Sequence, residues 1–188
     1  TMMASTPISV TLSKNFATTV SPWIVTLEAL APFRLPFERE AQYPAPLPYL
    51  DGAGLRQRGV LDIELSVTLQ TAAMRERGSA GAQLSRSNFR HQHWTVSQML
   101  AHHTMGGCSL QAGDILGTGT ISGPEPSEAG ALLELAQAGK QPFQLPDGEE
   151  RSFLHDGDAV ILRGWCEREG AARIGFGECR GQVLPAIA

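Results

Sequence analysis

Clusters of lysine and arginine are missing from this sequence, and with them the basic surface that a nucleic-acid partner requires. The formal net charge is −4 at pH 7. Long apolar runs are missing too: none approaches the roughly 20 residues of a membrane-spanning helix, so no membrane partner is expected. The first residues, TMMASTPISV, lack the basic-then-apolar order of a secretory leader. Cysteine is scarce. Cys108, Cys166 and Cys179 are odd in number and widely spaced, which excludes a disulfide framework and a paired-cysteine zinc site. They read as free thiols in a reducing, cytoplasmic compartment. No internal repeat and no low-complexity tract is present. The 188 residues, 42% hydrophobic and 18% charged, have the length and balance of one domain with a real core.

What is present reads mainly as short strands. Residues 8–20 alternate, with Ile8, Val10, Leu12, Phe16 and Val20 on one face and two polar intruders, Lys14 and Thr18, among them. Residues 61–70, LDIELSVTLQ, alternate most cleanly: Leu61, Ile63, Leu65, Val67 and Leu69 face in and the polar residues face out. Five prolines in 31–50 predict an extended connection or edge. MRERGSAGAQ reads as an exposed turn region. TVSQMLAHH predicts a helix, with Thr95 and Gln98 as a capping box, Val96, Met99, Leu100 and His103 on the packed face, and Gly106–Gly107 as the stop. Glycine-punctuated strands are expected near 114–121, 151–155, 159–166 and 172–184. The fold class is mainly β, a rolled or sandwiched mixed sheet with one or two short helices.

GTGTISGPEP, residues 117–126, holds only one large apolar residue, Ile121. In an extended chain Thr118, Thr120 and Ser122 share a face, and Gly117, Gly119 and Gly123 let a ligand approach the backbone. A flexible turn is the plainer reading. Lys14 on a core face either snorkels to solvent or is held in a pocket to meet developing negative charge. Thr18, four residues on, lies roughly 13 Å away along an ideal strand. Glu134 in GALLELAQAG sits among leucines. By propensity 127–138 is helical, and the carboxylate is either at the surface or, if buried, in the setting of a general acid or base. His91 and His93 share one face of a strand, as a metal pair would, but no third ligand is evident and a surface or structural reading is preferred. His103 reads as a packed histidine, and PDGEE (Asp147, Glu149, Glu150) as a solvated turn.

Several stretches, in order, carry a resemblance: FATTVSPWIVTLEALAPF, RSNF, HWTVSQMLAHHT, GCSLQAGDILGTGTISGPEP, LLEL, LHDGDAVILRG and IGFGECRGQVLPA. They resemble the fumarylacetoacetase (fumarylacetoacetate hydrolase) family over about Lys14 to the C-terminus. The resemblance implies a β-roll domain of that family's C-terminal type, part of a homodimer that hydrolyses a carbon–carbon bond of a 1,3-diketo acid. Fumarylacetoacetate would give fumarate and acetoacetate, a step in tyrosine and phenylalanine breakdown. It implies a divalent cation, calcium or magnesium, on the diketone oxygens and a water activated by a histidine paired with a glutamate. By position, Lys14 is similar to the lysine beside the metal and Thr18 to the threonine near the cation. Thr120 matches the substrate-contacting threonine, and Glu134 the histidine's partner. It also implies that the LLEL segment is a strand.

The family's catalytic histidine, its carboxylate metal ligands and its substrate-gripping Arg and Gln lie upstream of the lysine. Only thirteen residues precede Lys14 here, with no Asp, Glu, His or Arg among them. The expectation is a non-matching leader over 1–13 and, over 14–188, the C-terminal part of the catalytic domain, with little activity alone. Two alternatives stay open: another enzyme of the superfamily, such as an acylpyruvate hydrolase or a decarboxylase, and a non-catalytic β-domain.

Overall fold

The computed structural model describes residues 18–186. Lys14 and most of the strand expected over 8–20 lie outside them; Thr18–Val20 are irregular. Four antiparallel strands form the central sheet, in the order β4 (Ala82–Asn88), β3 (Glu64–Gln70), β7 (Ala159–Cys166) and β8 (Ile174–Gln182). Two-stranded ribbons join β1 (Arg34–Leu35) to β2 (Val60–Leu61) and β5 (Phe143–Gln144) to β6 (Glu150–Arg151). The mainly β reading is borne out. Helix is more frequent than expected, with four α-helical segments among the described residues: α1 (Ala53–Arg58), α2 (Ala72–Glu76), α3 (Val96–Met105) and α4 (Leu132–Leu135).

The period-two pattern of β3 sets one face of the sheet. Leu65 lies opposite Ser87 and Gly164, Val67 opposite Ser85 and Leu162, and Leu69 opposite Ala82 and Val160. Leu162 in turn pairs with Cys179. Apolar clusters close the two ends of this face. Leu30, Phe33, Leu61, Ile63 and Cys166 pack at one end, and Leu69, Met74, Ala82 and Leu145 at the other. Between them the small side chains Ser85, Ser87, Gly164 and Cys179 leave the middle of the face uncrowded.

The opposite face of β3 is less wet than the alternation predicts. Ser66 and Gln70 are buried. Ser66 lies between Arg86 and Arg163 in register. Gln70 donates to the Ser79 carbonyl at 2.6 Å and accepts from Arg180. MRERGSAGAQ is not simply an exposed turn: the Thr71 hydroxyl accepts from Met74 N–H at 3.1 Å, capping α2, and Met74 is buried.

Helix α3 forms with the expected capping box between Thr95 and Gln98. Its packed face is not the expected one. Val96 and Leu100 are each 37% exposed and His103 is exposed, whereas Gln98 is buried and donates to the Leu50 carbonyl at 2.9 Å. A polar clamp to the Pro48–Leu50 turn anchors the helix, and of the expected face only Met99 is half-buried. Two further expectations are corrected. Residues 114–121 form no strand, being occupied by the loop described below. The segment LLEL is helical (α4), as its propensity predicts, and not the strand that the resemblance implies. Gln137 and Ala138, at φ 47° and 59°, then turn the chain away. The proline-rich stretch is extended as expected except for one-turn 3-10 segments at Ala31–Phe33 and Pro48–Leu50, each with proline in its first turn.

Candidate functional site

A cavity of about 440 Å³ occupies the uncrowded middle of the sheet face. Its lining includes Ser85 and Ser87 of β4, Leu162 of β7, Cys179 of β8, and Thr120 and Ile121 from the loop. The loop is tied down over the sheet: Ser87 Oγ donates to the Ile121 carbonyl at 3.2 Å, and Gly123 N–H donates to the Glu128 carbonyl at 3.0 Å. Gly119, at φ 80°, supplies a left-handed turn that a larger residue resists. Gly130 is the second requirement. A Cβ there would lie 2.6 Å from Thr120 Cγ2 and 2.5 Å from the Ile121 oxygen, so only glycine lets the two passes of chain touch.

That contact brings Thr120 and Glu134 into one cluster. Ser122 Oγ donates to Glu134 Oε2 at 2.6 Å. The Gly130 N–H is shared between Ser122 Oγ at 3.1 Å and Glu134 Oε2 at 3.2 Å. Glu134 itself is exposed, at the rim and outside the lining. Its position in the first turn of α4 suits a carboxylate. Thr118 is half-buried and bonds only locally, to the Gly119 carbonyl at 3.4 Å.

The opposite wall of the cavity comes from the start of the described chain. Thr18 is exposed. The next residues cross β8: the Thr19 carbonyl accepts from the Cys179 thiol at 3.3 Å, and Ser21 Oγ donates to the Phe176 carbonyl at 3.3 Å. Ser21 lines the cavity. Thr18 therefore leads into one wall, while Thr120 stands on the other.

The remaining sequence candidates go elsewhere. His91 and His93 do not act as a pair: His91 Nε2 lies 3.6 Å from Glu128 Oε1, while His93 meets Arg39 and Tyr43. PDGEE is more than a solvated turn, because Glu149 accepts from the buried Thr71 hydroxyl at 2.6 Å and from Arg151 at 2.8 Å. Arg151 also binds Asp158 through Nε at 2.8 Å and Nη2 at 3.0 Å. Burial pushes the Asp158 carboxyl up, but the Arg151 guanidinium and the His155 N–H outweigh it and hold the group below its ordinary value. Cys166 is a core thiol, pushed up to about 11 by burial and by the Asp62 charge, and so is a poor nucleophile.

No three His, Cys, Asp or Glu side chains come together among the described residues as a cation site requires. A divalent cation does not fit these residues alone. Ser85 and Ser87 were not singled out from the sequence, although serines two apart in LSRSN are the signal that places both on one strand face.

Comparison with known proteins agrees with the early resemblance. The family model described as "Fumarylacetoacetate (FAA) hydrolase C-terminal" matches residues 1–184, which takes in the stretch ahead of Lys14. The chain is 47% identical over 181 residues to the fumarylacetoacetase of Homo sapiens, covering 96% of this chain and 41% of that protein. It is 48% identical over 181 residues to the fumarylacetoacetase of Caenorhabditis elegans, covering 96% of this chain and 40% of that one. Arabidopsis thaliana fumarylacetoacetase is 44% identical over 180 residues, with the same two shares. The chain thus spans about 40% of the length of these relatives.

Proposed function

Because the chain belongs to the fumarylacetoacetate hydrolase family, we propose that its residues serve the hydrolysis of a carbon–carbon bond in a 1,3-diketo acid, fumarylacetoacetate, to fumarate and acetoacetate. Water adds to one carbonyl, the bond between the two carbonyl-bearing halves breaks, and the departing carbon is held as an enolate until it takes a proton. An unassisted carbanion is a very poor leaving group, so positive charge and donors must be ready where the enolate oxygen forms. A divalent cation, calcium or magnesium, would supply part of that charge, held with carboxylates beyond those that the described residues bring together.

This chain's side chains take four of the roles. The Thr120 hydroxyl donates to a substrate oxygen. Glu134 accepts from the N–H of a histidine and fixes the ring that takes the proton of the attacking water. The Lys14 ammonium meets the enolate oxygen, and Thr18 contributes beside the cation. What supports this most is one observation: Thr120 and Glu134, fourteen residues apart, are joined through Gly130 and Ser122 at the rim of a single cavity. The proposal extends to a cytoplasmic homodimer working in tyrosine and phenylalanine breakdown. No helix among the described residues is long and apolar enough to cross a membrane.

A substrate-loss assay tests the reading. The 188-residue chain alone, given fumarylacetoacetate with calcium or magnesium, turns over little or none, because the described residues hold no cation cluster. In a chain of the relatives' length that includes these residues, turnover is restored. Full turnover by the 188 residues alone would overturn the division of labour proposed here.

A further inference from the structure

The Ser122 hydroxyl is bonded on both sides. Its oxygen accepts from the Gly130 N–H at 3.1 Å, and its one proton goes to Glu134 Oε2 at 2.6 Å. The second distance is that of a bond from a hydroxyl to an ionised carboxylate. The same Gly130 N–H reaches Glu134 Oε2 at 3.2 Å, so the three groups close a small ring. Glu134 is exposed, and an exposed glutamate, with three rotatable bonds, otherwise samples several rotamers.

The fold fixes both ends of this contact. Gly123 N–H donates to the Glu128 carbonyl at 3.0 Å and Glu125 N–H to Glu128 Oε2 at 3.1 Å, closing the turn that returns the chain to Gly130. A Cβ at Gly130 would lie 2.5 Å from the Ile121 oxygen, so the two passes touch just where Ser122 begins. On the other side Ala136, fully buried, pins the end of α4 two residues past Glu134. Ser122 is half-buried and lies outside the cavity lining, in which Thr120, Ile121 and Gly130 take part. A hydroxyl set behind the wall, with its proton and one lone pair engaged, is a strut and not a nucleophile.

We propose that Ser122 is a positioning residue for Glu134. It holds Oε2, so that Oε1 keeps one direction toward the histidine N–H that Glu134 orients. The inference rests on the reading of Glu134 given above. It adds that the loop carrying Thr120 also sets the carboxylate, through the residue two places on. The effect passes through the base that the histidine supplies and not through a substrate contact, so it falls on kcat.

The test is steady-state kinetics with fumarylacetoacetate in a chain of the relatives' length. Ser122→Ala should lower kcat about tenfold, the scale of one charge-assisted bond, with KM changed by less than about twofold. Ser122→Thr keeps the hydroxyl and should bring kcat back to within about threefold of the unaltered protein. With Ser122→Ala and Glu134→Gln together, kcat should equal that of Glu134→Gln alone, because the group being positioned is already gone. Should Ser122→Ala fail to fold, Ser122→Val against Ser122→Thr puts the same question at matched shape. A rise in KM at unchanged kcat makes Ser122 a holder of Thr120 alone and overturns the proposal. So does a loss that Ser122→Thr does not recover, or one that multiplies cleanly with that of Glu134→Gln. An impaired Glu134→Gln beside an unimpaired Ser122→Ala sinks this inference and leaves the reading of Glu134 standing. If Glu134→Gln turns over like the unaltered protein, that reading falls and the inference falls with it.

Discussion

Asp158 and Glu134 are two carboxylates set beside the same sheet, and their surroundings are opposite. Asp158 is 1% exposed, and the Arg151 guanidinium and the His155 N–H occupy its oxygens. Glu134 is exposed, and among the described residues both hydrogen bonds to it fall on Oε2, leaving Oε1 for another donor. A carboxylate that serves the fold is closed off on every side. Glu134 is gripped on one side and left free on the other, as the role proposed for it requires.

The largest expected effect breaks the closed member of the pair. Asp158→Ala leaves the Arg151 guanidinium buried without its main partner, a loss of about 3–5 kcal/mol. Thermal unfolding should show a fall in Tm on the order of 10 °C. Glu134→Gln should do the reverse: Tm within about 2 °C of the unaltered chain, but kcat lower by about 100-fold in a chain of the relatives' length, the usual cost of misdirecting a general base. Thr120→Val keeps the shape and removes a donor, and should lower kcat/KM about tenfold. The smallest effect is acidic. The depressed Asp158 carboxyl contributes stability that is complete above its ordinary value of 3.8 and is lost as pH falls through its lower folded value. Urea unfolding of Asp158→Asn should therefore show a flatter decline in stability at acid pH than the unaltered chain.

Much of the scaffold was legible because local rules agree with the fold. The alternation of 61–70 gave the central strand, and Thr95 with Gln98 gave the start of α3. Composition marked 117–126 as poor core material without choosing among Thr118, Thr120 and Ser122; only the resemblance singled out Thr120. The misses share a cause: each depends on partners distant in sequence. Glu149 looks solvated until Thr71, 78 residues away, donates to it. Gln98, not the expected Val96 and Leu100, is the buried contact of α3, through its bond to Leu50, 48 residues away. His91 and His93 share a strand pattern, but Phe89–His91 is a 3-10 turn that breaks the two-residue period, and the two rings take different partners. For LLEL, propensity and resemblance disagreed; the short helix forms where Glu134 can reach back to Gly130.

The central claim is that Thr120 and Glu134 belong to one working site. A double-mutant cycle on kcat/KM, with Thr120→Val, Glu134→Gln and both together in a chain of the relatives' length, tests it most directly. The account predicts that the combined loss is smaller than the product of the separate losses by about tenfold, a coupling of roughly 1.4 kcal/mol. Losses that multiply cleanly, or single variants that turn over substrate like the unaltered protein, would contradict it.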